Sequence, residues 1–137
     1  MTPVPGEIAA IFDAAPDAAR ARLYALRDVI FRAAEVAEVG PLDEKLKWGE
    51  PAYLPRTPRV GTTIRLGWSA KRAGEVSVFV PCQTTLVSLY RDRFPDEFRY
   101  EGNRALHLPA EGAYSEAAFE QVVTLALTYH RARRGRT

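Results

Sequence analysis

The chain is poor in cysteine and in long apolar runs. Its 137 residues include one cysteine, Cys82, so no internal disulfide can form, and a disulfide-stapled secreted domain is excluded. No segment approaches the roughly 18 consecutive apolar residues that a membrane span requires. The first residues, MTPVPGEIAAIF, contain neither the basic region nor the long apolar run of a signal peptide. We therefore expect a cytoplasmic protein without a membrane partner.

Excess basic charge is confined to the end of the chain. The 19 basic and 17 acidic residues give a net charge of +2, but four arginines lie in a tail at residues 131–137. These are Arg131, Arg133, Arg134 and Arg136. Without them, 15 basic residues face 17 acidic ones. Such a tail can contact nucleic acid, yet no aromatic residue for base stacking follows Tyr129. We expect a solvated helix end and do not expect nucleic acid as a partner.

Residues that commonly carry catalysis or bind metals are few. Two histidines and one cysteine in separate segments do not form the ligand pattern of a zinc site. Cys82 could act as a nucleophile with His107 or His130 only if the fold brings them together, and it is otherwise expected to be buried. His107 is expected at the surface or in a pocket, and His130 half-buried on the last helix. The sequence predicts no catalytic residue and no metal ligand, and it leaves any cofactor unknown.

Helical periodicity dominates both ends of the chain, whose length suits a single domain at residues 1–137. A short helix is predicted at residues 7–13. A second helix of about 22 residues begins at Pro16 and stops at Gly40-Pro41. Its apolar stripe consists of Leu23, Leu26, Ile30, Ala33 and Ala37. The last helix begins at Ser115, a residue type favoured at the N-cap, and leads into the basic tail.

The middle of the chain alternates apolar and polar residues, which predicts short strands. Such runs occur at residues 62–68 and 75–80, and two more at 98–101 and 104–108 are joined by a Gly-Asn pair typical of hairpins. Residues 83–94 have the pattern of a short helix between strands. Closely spaced strands favour antiparallel pairing. The expected fold is α+β, a two-layer sandwich in which N- and C-terminal helices pack on one face of an antiparallel sheet.

The stretch LKWGEPAYL at residues 46–54 alternates like a strand but contains a glycine and a proline. Proline removes a ladder hydrogen bond, and glycine permits a bulge. We therefore expect an edge strand that bends at Gly49–Pro51 and changes the direction of Trp48 and Tyr53. Two interpretations remain open for these aromatic residues. They pack in the core, or they line a concave site.

Several segments resemble the YdhG-like family of domains of unknown function (number eighteen hundred and one). LKWGEPAY at 46–53 resembles that family's signature (I/L)KWG-x-P-x-(Y/F), and PDAARARLYALRDVIFRAA at 16–34 resembles its leading helix. EVSVFVP at 75–81 and YEGNRALHLP at 100–109 resemble a family strand and its closing hairpin. The likeness covers about residues 15–134.

The resemblance implies a two-layer α/β sandwich and, because some members are called iron chaperones by likeness to frataxin, an iron-binding alternative. Iron donors need clustered oxygen ligands, whereas the acidic residues of the long N-terminal helix are interleaved with arginines. A basic position of the family's hairpin is occupied here by His107, with Arg104 close in sequence.

Together these observations favour a small-molecule binding or carrier module over an enzyme, since no acid–base or nucleophile constellation is assembled. The predicted site residues are Lys47, Trp48, Glu50, Tyr53, Phe79, Arg104 and His107. One alternative is the frataxin-like iron chaperone. Another is a homodimer formed through the open edge of the sheet or the exposed face of the first long helix.

Overall fold

Two helices at the start of the chain are separated by a short turn. A computed structural model describes residues 2–134, in which helix α1 covers Gly6–Asp13 and helix α2 covers Asp17–Val36. Pro16 directly precedes α2, where its missing N–H costs nothing because the first N–H groups of a helix have no intrahelical partner. After α2, Glu38 and Gly40 take left-handed conformations with φ of 55° and 78°. Both predicted helices are confirmed, and α2 ends just before the predicted stop.

Six strands in residues 2–134 form one antiparallel sheet. They are β1 (Leu42–Lys47), β2 (Glu50–Pro55), β3 (Ile64–Gly67), β4 (Glu75–Phe79), β5 (Arg99–Glu101) and β6 (Ala105–Pro109). Their order across the sheet is β1-β2-β3-β4-β6-β5, and every neighbouring pair is antiparallel. The predicted antiparallel sheet is therefore confirmed.

The remaining helices follow β4 and β6. They are α3 (Leu86–Arg93), α4 (Glu116–Leu127) and α5 (Tyr129–Arg134), with a 3₁₀ turn at Ala70–Arg72. Ser115 is the N-cap of α4 as expected, and its Oγ accepts a hydrogen bond of 3.1 Å from the N–H of Ala118. Of the predicted basic tail, residues 135–137 lie outside the described residues. No helix within 2–134 is both long and apolar enough to cross a lipid bilayer.

The core lies between the helices and one face of the sheet. Alternate strand residues on this face are fully buried, among them Tyr53, Ile64, Leu66, Val78 and Leu106. They join one apolar cluster with residues of α1, α2 and α4. Burial of each such side chain contributes about 1.5–3 kcal/mol. The helices therefore cover one face, as the two-layer α+β prediction requires, and no α-helix of residues 2–134 packs on the opposite face.

One charged pair is buried in this layer. Arg27 falls outside the apolar stripe of α2, yet it is only 1% exposed. Its guanidinium holds both carboxylate oxygens of Glu44 on β1, at 2.6 and 2.8 Å. It also donates hydrogen bonds to the carbonyls of Thr2 and Pro3. Because every group of the ion pair is satisfied, a buried arginine is tolerated here, and it links the N-terminal segment, α2 and β1.

The KWGE stretch forms a hairpin turn and not a bent strand. Lys47 pairs with Glu50, and between them Trp48 and Gly49 have φ of 55° and 77°. Two left-handed residues in a two-residue loop form the type I′ turn that suits the twist of a hairpin. The expected bend within one edge strand is therefore wrong, because the chain reverses direction at these residues.

Pro51 fits β2 because of the hairpin's register. Pairs in an antiparallel ladder alternate between hydrogen-bonded and non-hydrogen-bonded, and the pair that closes a two-residue turn is hydrogen-bonded. The next pair, Leu46 with Pro51, is therefore one in which no N–H faces the partner strand. On its other side, β2 pairs with β3 only through Ala52 and Tyr53. Pro51 thus lies where no ladder bond is required of it.

Candidate functional site

The uncovered face of the sheet, called the open face below, has a floor of small residues. They are Ala52, Gly67, Ser77 and Ala105, which lie on the face opposite the helices. All four are buried although none of the α-helices in the described part of the chain covers them. The strand register places the larger side chains of Glu50, Arg65 and Phe79 beside them, so these side chains cover the floor.

Glu50, Arg65 and Phe79 form a contact cluster at the centre of the open face. Nη1 of Arg65 donates to Oε1 of Glu50 at 2.8 Å, and its guanidinium lies 5.3 Å from the centre of the Phe79 ring. A Cβ atom added to Gly67 would lie 2.9 Å from Oε2 of Glu50 and 3.3 Å from Cε2 of Phe79. The carboxylate and the ring therefore occupy the space that the missing side chain of Gly67 leaves.

Burial raises the pKa of the Glu50 carboxyl, while the positive charges of Arg65 and Arg104 act in the opposite direction. The carbonyl of Arg104 accepts a hydrogen bond of 2.8 Å from the N–H of Val80, so this residue of the β5–β6 turn lies beside the end of β4 that carries Phe79. A half-buried carboxyl of this kind can accept hydrogen bonds when ionised and can donate one when it is protonated.

The open face near Glu50 is positively charged. Lys45 and Lys47 on β1 point to this face, and Arg65 and Arg104 lie near the same carboxylate. Within residues 2–134, neither lysine nor Arg104 forms an ion pair. A shallow cavity of about 210 Å³ lies here, lined by Lys47, Trp48, Thr63, Arg65 and Pro81. Two arginines thus act on the Glu50 carboxylate, and two lysines of β1 lie on the same face of the sheet.

Trp48 lies at the tip of the β1–β2 hairpin and is 90% exposed. A bulky residue with positive φ is rare, because its Cβ crowds the backbone. Asn or Asp is the usual residue at this position of a type I′ turn. The indole therefore contributes little to the core and occupies a strained position, a combination found at functional sites.

Tyr53 is not part of the open face. It lies on the helix-covered face, is fully buried and packs edge-on against Phe31 at 5.8 Å. Its hydroxyl has no hydrogen-bond partner among the described residues, although Glu44 and Arg27 are close enough to act on its pKa. Burial, followed by the charge of Glu44, raises that pKa. The prediction that Tyr53 lines a site with Trp48 is wrong, because Tyr53 points into the core while Trp48 lies at the turn.

His107 belongs to the open face but is only 1% exposed. Its Nε2 lies 2.9 Å from Oε1 of Glu101, and its Nδ1 lies 2.7 Å from Oγ of Ser77. Glu101 also accepts a hydrogen bond of 2.9 Å from Arg72. Burial lowers the pKa of His107 in spite of the hydrogen bond to Glu101. The expectation of a surface or pocket histidine is wrong, because the ring is buried, with Ser77 at one nitrogen and Glu101 at the other.

A serine, a histidine and a glutamate in hydrogen-bonded sequence are the parts of a nucleophilic site. Since an ionised carboxylate only accepts, Nε2 of His107 carries the proton, and Nδ1 accepts from the Ser77 hydroxyl. Ser77 is only 2% exposed, however, so its hydroxyl is not accessible for attack on a substrate. The hydrogen bonds connect three strands instead: Ser77 of β4 bonds to His107 of β6, which bonds to Glu101 of β5.

The other chemistry-bearing residues remain separate. Cys82 is exposed and not buried as expected, and its thiol bonds only to Oε1 of Gln83 at 3.6 Å. His130 is exposed on α5 and packs against Tyr129. Within residues 2–134, no three histidine, cysteine, aspartate or glutamate side chains lie close enough together to hold a metal ion.

Of the predicted site residues, the structure brings Lys47, Glu50, Phe79 and Arg104 together and places Trp48 at their edge. Arg65 and Gly67 were missed. The alternation Ile64-Arg65-Leu66 was a signal for Arg65, because it places the arginine opposite the core face. Nothing local indicated Gly67, whose role depends on the side chain of Glu50 from a neighbouring strand.

No protein-family model, curated protein or solved structure shows a significant match to this chain. The resemblance to the YdhG-like family therefore stays a prediction.

Proposed function

We propose that the protein is a small-molecule binding module whose site is the open face beside Trp48. The observation that carries the proposal is the exposed Trp48, held in a strained turn beside cations that lack acidic partners. An exposed indole adds nothing to the core, so its retention in a conformation that favours Asn is better explained by a contact outside the folded chain.

The charge on the open face favours an anionic ligand. Lys47 and Arg104 have no carboxylate partner within the described residues. Arg65 has one such partner, Glu50, and within the same residues no other cation bonds to that carboxylate. A carboxylate or phosphate placed between them would gain charge-assisted hydrogen bonds. Glu50 would then orient the ligand by accepting or donating one bond.

The aromatic residues favour a ligand with a flat apolar part. Phe79 forms part of the cluster that covers the floor, and Trp48 and Pro81 line the adjacent cavity. Flat rings stack on aromatic faces, and guanidinium groups stack in the same way. The ligand class we propose is therefore a small aromatic carboxylate or aromatic phosphate.

Isothermal titration calorimetry with benzoate, 4-hydroxybenzoate and phenyl phosphate tests this proposal. We expect at least one of them to bind, and Trp48→Asn and Lys47→Gln to weaken its affinity about tenfold or more. Asn suits the turn, so Trp48→Asn removes the ring without unfolding the hairpin. Lys71→Gln is the matched control, because Lys71 is exposed on the 3₁₀ turn and does not line the cavity. Equal affinities of Lys47→Gln and Lys71→Gln, or no binding by any probe, would contradict the proposal.

The exposure of Trp48 also favours a second candidate, the homodimer. Tryptophan is enriched among residues that dominate the energy of protein interfaces. Light scattering over a wide range of protein concentration distinguishes the two, since a dimer has twice the 15.3 kDa of one chain. A dimer that Trp48→Asn converts to monomer supports this candidate, and a monomer at every concentration contradicts it. No observation within residues 2–134 favours the iron chaperone.

A further inference from the structure

A second cavity, called the basic cleft below, lies between the loop after β2 and helix α5. Its volume is about 740 Å³. The charged and titratable residues that line it are Asp43, Arg56, Arg59, His130, Arg133 and Arg134. Only Asp43, at the far end of β1, shares the open face, and none of these residues lines the cavity beside Trp48, so the basic cleft is a separate feature of the molecule.

The loop on one side of the basic cleft is fixed to helix α4. The N–H of Thr62 donates to the carbonyl of Ala126 at 2.8 Å, and the N–H of Arg131 donates to the carbonyl of Val60 at 2.8 Å. A Cβ atom on Gly61 would lie 2.0 Å from the carbonyl oxygen of Leu127. Only glycine allows this approach. The sequence PRTPRVG at residues 55–61 has no regular pattern, and the structure packs the end of this loop against the helix.

This packing interrupts the last helix. The apolar stripe predicts one helix through His130, but α4 ends at Leu127 and α5 begins at Tyr129. The N–H of Arg131 would bond to Leu127 in a continuous helix and bonds to Val60 instead. Beyond the interruption, Arg133 and Arg134 of α5 line the same cleft as the loop.

The positive charge of the molecule is concentrated at the basic cleft. Four arginines and one aspartate line it, an excess of three positive charges with histidine neutral, while the whole chain carries +2. Arg56 is paired with Asp43 at 2.9 Å, and Arg133 donates to the hydroxyl of Tyr129 at 3.1 Å. The Arg59 side chain forms no hydrogen bond or ion pair within residues 2–134.

The backbone holds Arg59 in an unusual conformation. Its φ of 65° lies in the left-handed region, which a residue with a Cβ rarely adopts because the Cβ crowds the backbone. Its carbonyl accepts a hydrogen bond from the guanidinium of Arg134, which joins the two sides of the cleft. The backbone of Arg59 is therefore fixed at the cleft, and its exposed guanidinium has no partner from the described part of the chain.

We propose that the basic cleft binds a small ligand that carries two or more phosphate groups on an organic body, such as a nucleoside diphosphate. Arginine forks bind phosphate oxygens in pairs. A single phosphate carries about −1.5 to −2 charges, so an excess of three positive charges matches more than one phosphate. The volume lies in the range of small-molecule sites, roughly 300–1,000 Å³.

The walls of the basic cleft accommodate the organic body. Leu54, Pro55 and Pro58 line it beside the arginines and provide apolar surface. A nucleic-acid strand is a weaker fit, because strand-binding grooves depend on successive aromatic platforms, and among the described residues of this lining only His130 has an aromatic ring. The small polyphosphate ligand is therefore the occupant that this surface favours.

Calorimetric titration of the full chain with ADP tests the proposal, with adenosine and pyrophosphate as comparison probes. We expect ADP to bind, adenosine to bind at least about tenfold more weakly, and pyrophosphate to be weaker than ADP because it lacks a body to contact the apolar wall. Arg59→Ala should weaken ADP binding about tenfold. Arg59 is exposed and unpaired, so its removal leaves the fold intact.

Arg93→Ala is the matched control, because Arg93 is exposed on α3 and has no side-chain partner in the described range. It should bind ADP like the unaltered protein. No heat with ADP, or equal affinity in the Arg59 and Arg93 variants, overturns the proposal. A single-stranded oligonucleotide that binds and is not displaced by excess ADP overturns the small-ligand assignment in favour of nucleic acid.

Discussion

The hydroxyl of Ser77 lies 2.7 Å from Nδ1 of His107, and the two residues face each other across strands β4 and β6. On the other side of the ring, Glu101 accepts from Nε2 and is itself held by Arg72. This series ties together β4, β6, β5 and the 3₁₀ turn on a face against which no described α-helix packs. Buried polar groups that are fully paired fix one arrangement of a sheet, so the open face keeps its shape without a second layer.

The His107 network predicts a loss of stability in weak acid. Burial lowers the pKa of His107 below its ordinary value of 6.5, so the unfolded chain takes up this proton first as the pH falls. The contribution is therefore complete above pH 6.5 and is lost as the pH falls through the pKa of the folded state. Urea unfolding at about pH 7.5 and about pH 5.5 should show a lower midpoint in acid.

The control for this prediction isolates His107 from other titrating groups. The arginines beside the ring, Arg72 and Arg99, carry the same charge at both pH values, as arginine does throughout this range. The pKa values of Glu75 and Glu101 are lowered from 4.5, so these carboxylates titrate below the pH range that the experiment compares. Both proteins compared should carry His130→Gln. Adding His107→Gln should lower stability at the higher pH and flatten the pH dependence. An unchanged slope in that variant would show that another group is responsible.

A second prediction concerns the buried pair of Arg27 and Glu44. Removing one member leaves the other charged and unpaired in the core, so Glu44→Ala should cost about 3–5 kcal/mol of unfolding free energy. Arg27→Met together with Glu44→Leu should cost less than Glu44→Ala, because no orphaned charge remains. Arg20→Ala is the exposed control and should cost less than about 1 kcal/mol. Denaturant unfolding of the four proteins checks the order, and equal costs at the two sites would contradict it.

The helices and the class of fold could be predicted because their signals are local. The stripe of Leu23, Leu26 and Ile30 and the N-cap Ser115 depend on neighbours within a few residues. Arg27 could not be placed, because its burial depends on Glu44 of β1, and a charged residue on a helix is ordinarily solvated. The break at Thr128 was missed for the same reason, since the loop at Val60–Gly61 causes it.

The candidate site could be predicted only in part. Alternation placed Glu50 and Phe79 away from the core, but the partner of each depends on which strands are neighbours. The turn was missed because type I′ turns are recognised by Asn-Gly or Asp-Gly, and Trp48-Gly49 does not match. Tyr53 was misplaced as a consequence, since the reversal at the turn decides which face each later residue occupies.

Gly61→Ala should be strongly destabilising. A Cβ atom here meets the backbone of Leu127 at 2.0 Å from its oxygen, and backbone atoms cannot move aside as a flexible side chain can. We expect a loss of about 3 kcal/mol or more. Gly6→Ala is the matched control, because nothing lies within 4 Å of a Cβ at Gly6 and its φ is not positive. That variant should change stability by less than about 0.5 kcal/mol. Similar midpoints for both variants in urea would mean that the loop is not packed against α4.

Trp48→Asn should leave the protein at least as stable as it is with tryptophan. The indole is 90% exposed and adds little apolar burial, whereas its left-handed backbone conformation costs about 1–2 kcal/mol. Asn adopts that conformation more readily and forms the favoured Asn-Gly turn with Gly49. Trp48→Val is the matched control and should be destabilising, because β-branched residues tolerate positive φ worst. If thermal unfolding shows Asn to be as costly as Val, then the ring stabilises the fold, and its exposure no longer supports a role in binding. If Asn is neutral or stabilising while ligand affinity falls, the tryptophan is retained at the expense of stability, which is the pattern expected of a binding residue.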